Sequence, residues 1–294
     1  MKKLFSILGL LMLLVLNACQ GTNSVSKETN GSSQSTLEKV KSKGVVTIGF
    51  ANEKPYAYQD SNGKITGEAV EVARVVLKNL GIKEVKGVLT EFGSLIPGLK
   101  ANRFDMITAG MFIKPDRCEQ VSFANPEYTL GAALGVKANN PLGLTSYEDI
   151  KSNPDAKVGV MAGAIEHDYL KKSGISDKQI TIIPDIPSAV QALLADRVDA
   201  ITMTGPSLEA MLDSAGSKDI DRVDDFKQPV IDGKPTQGYG ASAFRLEDTE
   251  FRDAFNSELK KLKDSGELLK IISPFGFSEN ELPGDIQTEQ LCKS

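Results

Sequence analysis

The 294-residue chain has no tryptophan, one histidine and three widely separated cysteines. Each scarcity excludes something. No spacing of His167 with Cys19, Cys118 or Cys292 resembles a zinc site, so no metal is expected, nor any cofactor. Any aromatic cage must use phenylalanine and tyrosine. Acidic residues outnumber basic ones, and the net charge of -5 argues against a nucleic-acid partner. There is no nucleophile–base pair and no phosphate-cradling loop. As an enzyme, the chain would need Glu53 or Glu166 to act as an acid with no visible partner, so binding is expected rather than catalysis. What is present, 40% hydrophobic and 25% charged residues, fits a soluble globular protein of one or two domains.

The single long apolar run is short for a membrane span. Lys2 and Lys3 precede Leu4 to Leu16, the layout of a secretory signal. Leu16-Asn17-Ala18-Cys19 resembles a bacterial lipobox, which implies cleavage before Cys19 and a lipid on its thiol. Residues 1–18 then form a lipoprotein signal peptide. Residues 19–36, rich in Ser, Asn, Thr and Gly, cannot bury enough surface to order themselves and form a flexible tether. The protein is expected outside the cytoplasmic membrane, lipid-anchored on its periplasmic side or at the cell surface. Export leaves Cys118 and Cys292 as an even pair in an oxidising compartment. Two readings stay open: a disulfide pinning the C-terminal tail beside the Phe112–Arg117 loop, or two buried thiols.

Along the body, Thr36 to Ser42 reads as a short helix ending near Gly44, and Val45 to Phe50 as a buried strand. Val70, Ala73, Val76, Leu77 and Leu80 share one face of a helix over 67–80, with Gly81 as its stop. Val85 to Leu89 is a second strand, and Ser94 is placed to cap the helix that follows. Phe104 to Ala109 is a third strand. A gapless internal repeat aligns 96–110 with 190–204, each copy reading as helix, tight Asn/Asp turn and strand. Two such α/β units argue for two lobes whose strand ends, Gly110 and Thr204, face a shared cleft. The chain crosses between lobes near Leu130 to Val136 and returns as a strand over Gly238 to Phe244. Two crossings make a hinge. Phe251, Phe255, Leu259 and Leu262 form a core-facing helix stripe. The expected architecture is α/β, with 37–130 and 237–294 in lobe 1 and 131–236 in lobe 2.

The stretch Ala109 to Arg117 carries the chemistry. Gly110 ends the strand and permits close approach. Phe112 and Arg117 follow, an aromatic face and a planar fork that takes a carboxylate through two parallel hydrogen bonds. The alternative is a surface loop whose Arg117 pairs with Asp116 or Glu119.

Four motifs then carry a resemblance: Lys43 to Gly49, Glu91 to Leu99, Pro115 to Pro126 and Gly266 to Ile272. Together they resemble the solute-binding proteins of ABC importers, in the polar-amino-acid type, with the two-lobed type II periplasmic-binding-protein-like fold. The resemblance implies a monomer that delivers a small solute to permease subunits, with Arg117 on the solute carboxylate. Amino-acid binders of that family carry Asp at the end of the second-lobe strand, where this chain has Thr204. A hydroxyl cannot balance a buried ammonium. Gly110 to Ile113, Arg117-Cys118, Val160 to Ala164 and Cys292 are similar to the ectoine/hydroxyectoine-binding subfamily. That similarity implies Glu53 on a ring cation, an aromatic box of Tyr56, Phe92 and Phe112, and Arg117 on the carboxylate of a small zwitterion. Gly163 and Ala164, at a helix N-terminus, either complete the carboxylate site or form a plain strand–helix turn; Thr204 is a further donor. His167 is placed outside the cleft. An amino-acid receptor and a dehydratase on the same fold are the competing readings.

Overall fold

The computed structural model describes residues 34–216 and 218–293. The signal peptide, Cys19 and the tether before Gln34 lie outside the described residues. Ser35 opens the first helix, Thr36–Lys43, with a capping box to Glu38, so the helix starts at the last residue assigned to the tether.

Two five-stranded sheets form the frame of a two-lobed mixed α/β fold. The first runs in the order Glu84–Leu89, Val45–Phe50, Met106–Ile107, Ala243–Phe244, Ser122–Phe123. The second runs Ile180–Ile183, Val158–Met161, Ala200–Thr204, Ala132–Lys137, Ile220–Arg222. The pattern is the same in both. The first three strands are parallel, and the fourth enters antiparallel after arriving from the other lobe. Parallel strands put their C-terminal ends on one edge, the edge where ligands bind in open α/β sheets.

The two crossings run side by side. Tyr128–Leu130 pairs antiparallel with Gly238–Gly240, and Thr129 Oγ1 donates to the Gly238 carbonyl at 3.0 Å. Gly131 alone separates the first of these strands from Ala132–Lys137 in the second sheet. The Gln228 side chain then holds Ala132 through both its N–H (2.9 Å) and its carbonyl (2.6 Å).

The first lobe's core lies between its sheet and the helices Glu68–Asn79 and Thr249–Asp264. The first of these buries Val70, Ala73, Val76 and Leu77; the second buries Phe251, Phe255, Leu259 and Leu262. Phe244 packs edge-on against Phe251 and Phe255, with centroids at 5.0 and 5.5 Å.

Three local expectations are corrected. The stretch from Gly238 to Phe244 is not one strand: its first part pairs with the crossing and its last part joins the sheet. Ala241 and Ser242 turn aside between them, their N–H groups taken by Met111 O and Glu127 Oε1. The strand expected over 104–109 shrinks to Met106–Ile107, because the chain leaves the sheet before Gly110 turns at φ +66°. Ser94 does not cap through its side chain. A 3-10 turn, Phe92–Ser94, runs straight into the helix Leu95–Lys100, so Ser94 is already helical and its N–H donates to Glu91 O.

Candidate functional site

The lobes touch at the C-terminal ends of both sheets, over a cavity of about 30 Å³. The first lobe lines it with Glu53, Tyr56, Phe92, Gly110, Phe112 and Arg117. The second lobe contributes Met161, Ala164, Ile165, Glu166, Ile186, Thr202, Met203 and Thr204. That volume holds one or two waters, so a ring-sized solute enters only when the lobes part. Two wider grooves, about 580 and 690 Å³, flank it along the lobe interface, but neither is lined by Arg117, Tyr56, Phe92 or Phe112.

Glu53 follows the strand Val45–Phe50 in a loop closed by two backbone bonds with Ala57, at 2.9 and 3.0 Å. Its Oε1 accepts from Ser207 Oγ of the second lobe at 2.7 Å. The side chain is buried, and burial lifts its pKa to about 7; the Ser207 bond opposes this and the charge of Glu166 adds to it.

Arg117, 5% exposed, is satisfied by carbonyls rather than by a carboxylate. One amine donates to Phe112 O at 2.6 Å, the other to Gly163 O across the cleft at 2.7 Å. Its guanidinium lies over the Phe92 ring, 5.6 Å from the centroid. Burial pulls its pKa down, against the nearby acids Asp116, Asp168 and Glu166. It therefore does not pair with Asp116 or Glu119 in a surface loop. Among the described residues, Lys114 of that loop ion-pairs with Asp116 and with Asp168 of the second lobe, the latter at 2.6 Å.

Tyr56 spans the cleft. Its ring stacks on Tyr128 at 5.3 Å, and its hydroxyl shares a 2.6 Å hydrogen bond with Thr204 Oγ1. A Cβ at position 110 would fall 2.4 Å from Tyr56 Cγ, so only glycine fits there. Phe112 presses against the returning strand just as closely, 1.9 Å from where a Gly238 Cβ would stand.

Seven of the eight residues expected at the site thus line one cavity. Gly163 does not; it reaches the site through its carbonyl, which accepts from Arg117. Thr204, expected as a donor to solute, is engaged by Tyr56. Among the described residues, the Cys118 and Cys292 sulfurs are joined, with Cα atoms 5.7 Å apart. His167 does not line the cavity. Sequence reasoning missed Ser207, Tyr128 and the placement of Glu166 in the cavity wall. Ser207 and Glu166 each stand in the first turn of the helix that follows a second-lobe strand end, and that position was the available signal. Tyr128 gave none beyond its place at the crossing.

The cavity offers a guanidinium, two carboxyls and apolar walls, which suits holding a small charged solute. No helix among the described residues is long and apolar enough to cross a membrane.

Residues 46–278 match the bacterial extracellular solute-binding proteins, family 3. A probable amino-acid ABC transporter periplasmic-binding protein of Sinorhizobium fredii is 38% identical over 88% of this chain and 86% of its own. The arginine-binding extracellular protein ArtP of Bacillus subtilis is 32% identical over 82% and 89%. The crystal structure of EhuB in complex with hydroxyectoine superposes with a TM-score of 0.79 at 37% identity, covering 87% of this chain and 97% of that one. The first two of these are named as binding proteins, not as enzymes. The chain belongs to the bacterial extracellular solute-binding proteins, family 3, and is an extracytoplasmic solute-binding protein.

Proposed function

We propose that the protein captures ectoine and hydroxyectoine and hands them to its permease as a monomer, lipid-anchored through Cys19. In this reading residues 37–130 and 237–294 form the lobe that first receives the solute, and 131–236 the lobe that closes on it. The observation that carries it is the pairing of Glu53 and Arg117, both buried, around a cavity walled by Tyr56, Phe92 and Phe112.

Ectoine is a ring whose delocalised amidinium cation sits beside a carboxylate. The cation suits the aromatic faces, each good contact contributing about 0.5–2 kcal/mol. It also relieves Glu53, whose charged form burial disfavours and which has no salt bridge among the described residues. The carboxylate replaces the two carbonyls on Arg117 with a charge-assisted pair. Thr204 stands at the end of the second-lobe strand and supplies no charge for an α-ammonium. The likeness to the hydroxyectoine-bound EhuB supports the same solute class.

One observation favours an amino-acid receptor instead. Glu166 is a second acid in the cavity, and two acids with one guanidinium match a dicationic amino acid such as arginine, which ArtP is named for. Calorimetry with ectoine, hydroxyectoine, proline, glycine betaine and arginine separates the two. Saturation by ectoine or hydroxyectoine at concentrations where arginine gives no heat is expected; the reverse order discards the proposal.

A further inference from the structure

Glu166 is the acid that the solute leaves over. It is 3% exposed, lines the cavity, and has one carboxyl oxygen with no hydrogen-bond partner. Its neighbours at the start of the Ile165–Lys172 helix, Ala164 and Ile165, bring no side-chain donor to the cavity. Thr202 and Thr204, the other second-lobe hydroxyls there, are occupied by Tyr147 and Tyr56. Among the described residues, Glu166 is thus the second-lobe polar side chain lining the cavity with an unspent oxygen.

Charge counting fixes the form it must take, given the zwitterion reading above. Solute cation on Glu53 and solute carboxylate on Arg117 leave the site balanced without Glu166. An ionised Glu166 would then be a third, uncompensated buried anion facing the solute carboxylate, which is costly. Protonated, it becomes an O–H donor. We propose that Glu166 binds the solute as a neutral carboxylic acid, donating to the solute carboxylate, so that each monocationic zwitterion captured brings one proton into the site at alkaline pH.

The surroundings agree. Burial raises Glu166 to about 7 even with no solute anion beside it. The groups that bear on it are its own backbone N–H and Arg117, which favour the charged form, and Asp168 on its own helix, which disfavours it. Glu53 and Tyr56 face it from the first lobe, Tyr147 from the second-lobe interior and Tyr169 from its own helix. A solute carboxylate on Arg117 screens the nearest cation and pushes Glu166 further toward the neutral form. The sign follows. The contribution of Glu166 to solute affinity is full below its pKa in the free receptor and falls tenfold per pH unit above it, while protonation of Glu53 lowers affinity on the acid side. At pH 8 Glu53 is already ionised and releases little, so uptake at that pH reports Glu166.

The test is titration calorimetry of the full-length receptor with ectoine at pH 8, in phosphate and in Tris, whose ionisation heats differ. The wild type should take up about one proton per solute. Glu166→Gln should take up none, lose the alkaline fall in affinity, and at pH 9 bind at least tenfold more tightly than the wild type. Zero uptake by a wild type that binds ectoine overturns the proposal without any variant, and so does an unchanged pH slope in Glu166→Gln. If ectoine gives no heat, the solute assignment fails. The proton count is then read on whichever zwitterion binds: one proton taken up with a monocationic solute upholds the role of Glu166, and tighter binding of arginine with no uptake refutes it.

Discussion

The two copies of the internal repeat share a scaffold and differ at its tip. In both, the helix ends at a residue with left-handed backbone, Asn102 at φ +56° and Asp196 at φ +58°. Three residues on, an aspartate locks the next strand. Asp105 accepts from Thr47 N, and Asp199 from Lys157 N, both at 2.8 Å. Then the copies part. The first ends in Gly110, which lets the Tyr56 ring lie flat against the chain; the second ends in Thr204, which holds the hydroxyl of that same Tyr56. One tyrosine therefore joins both strand ends. The first lobe contributes Glu53, Arg117 and the rings, while the second contributes hydroxyls, Glu166 and aliphatic side chains. The repeat supplies the frame, and the aromatic rings and the guanidinium lining the cavity all stand on one half of it.

The halves also differ in how they are stapled, and this gives the largest expected effect. Cys118–Cys292 ties the Arg117 turn to the chain's end, 174 residues away, and has no counterpart among the described residues of the second lobe. Reducing it, or the double change Cys118→Ser/Cys292→Ser, should lower stability by about 2–5 kcal/mol. Urea unfolding followed with and without reductant reads this directly, and an unmoved midpoint would break the contrast.

Swapping the tips comes next. Gly110→Ala combines left-handed backbone with a clash against Tyr56, an expected cost of about 2–4 kcal/mol. Thr204→Ala removes one partner of a buried hydrogen bond, an expected cost of about 1–2 kcal/mol. If thermal melts ranked Thr204→Ala as the more damaging change, Tyr56 would not be seated on the first-lobe tip.

A third contrast lies in the core. Behind the Tyr56–Tyr128 stack the first lobe buries Glu68 and Glu127, with both oxygens of Glu68 and one of Glu127 unpartnered. Burial raises both, Glu127 from 4.5 to about 7 and Glu68 also through the charge of Glu127; Ser242 and Lys263 pull Glu127 back. The folded lobe therefore holds protons that the unfolded chain has released. The Glu127 part of this stability is full below about pH 4.5 and is lost as pH rises toward 7, a change on the order of 1–3 kcal/mol. Glu127→Gln should flatten the decline between pH 5 and pH 8. A wild type that grows more stable over that range would contradict the sign.

The frame was readable because it rests on local patterns: the apolar strand Val45–Phe50, the 3.6-residue stripes, and the Asn/Asp turn that recurs at a fixed offset. The first-lobe lining of the cavity was readable for a related reason. Glu53, Phe92 and Arg117 sit in the short connections (a loop, a 3-10 turn and a one-turn helix) that follow first-lobe strands whose ends the pattern fixes. What stayed hidden depends on two distant segments meeting. The helix-start position of Ser207 aims it at the cleft but does not tell that its hydroxyl reaches Glu53, 154 residues earlier, and nothing at Gly163 tells that its carbonyl accepts from Arg117. The split of Gly238 to Phe244 was hidden likewise, since one stretch serves two strand partners.

The smallest effect concerns the rim, where an ion pair joins the halves. Lys114, beside the Arg117 turn, reaches Asp168 on the second-lobe helix at 2.6 Å and Asp116 on its own turn at 3.0 Å. Asp168 is 41% exposed, so water and salt screen the pair and its contribution is about 0.2–1 kcal/mol. The contact exists only while the lobes touch, so that energy belongs to closure and should appear in the rate of solute release. Asp168→Asn should speed release by up to about fivefold and leave the association rate nearly unchanged. Raising salt to about 1 M, where the screening length is near 3 Å, should speed the wild type by a similar factor and the variant much less. Stopped-flow release of bound solute at low and high salt measures both. Equal salt responses in the two proteins would mean that the rim pair does not hold the lobes together, leaving closure to Tyr56–Thr204, Glu53–Ser207 and Arg117–Gly163 in the interior.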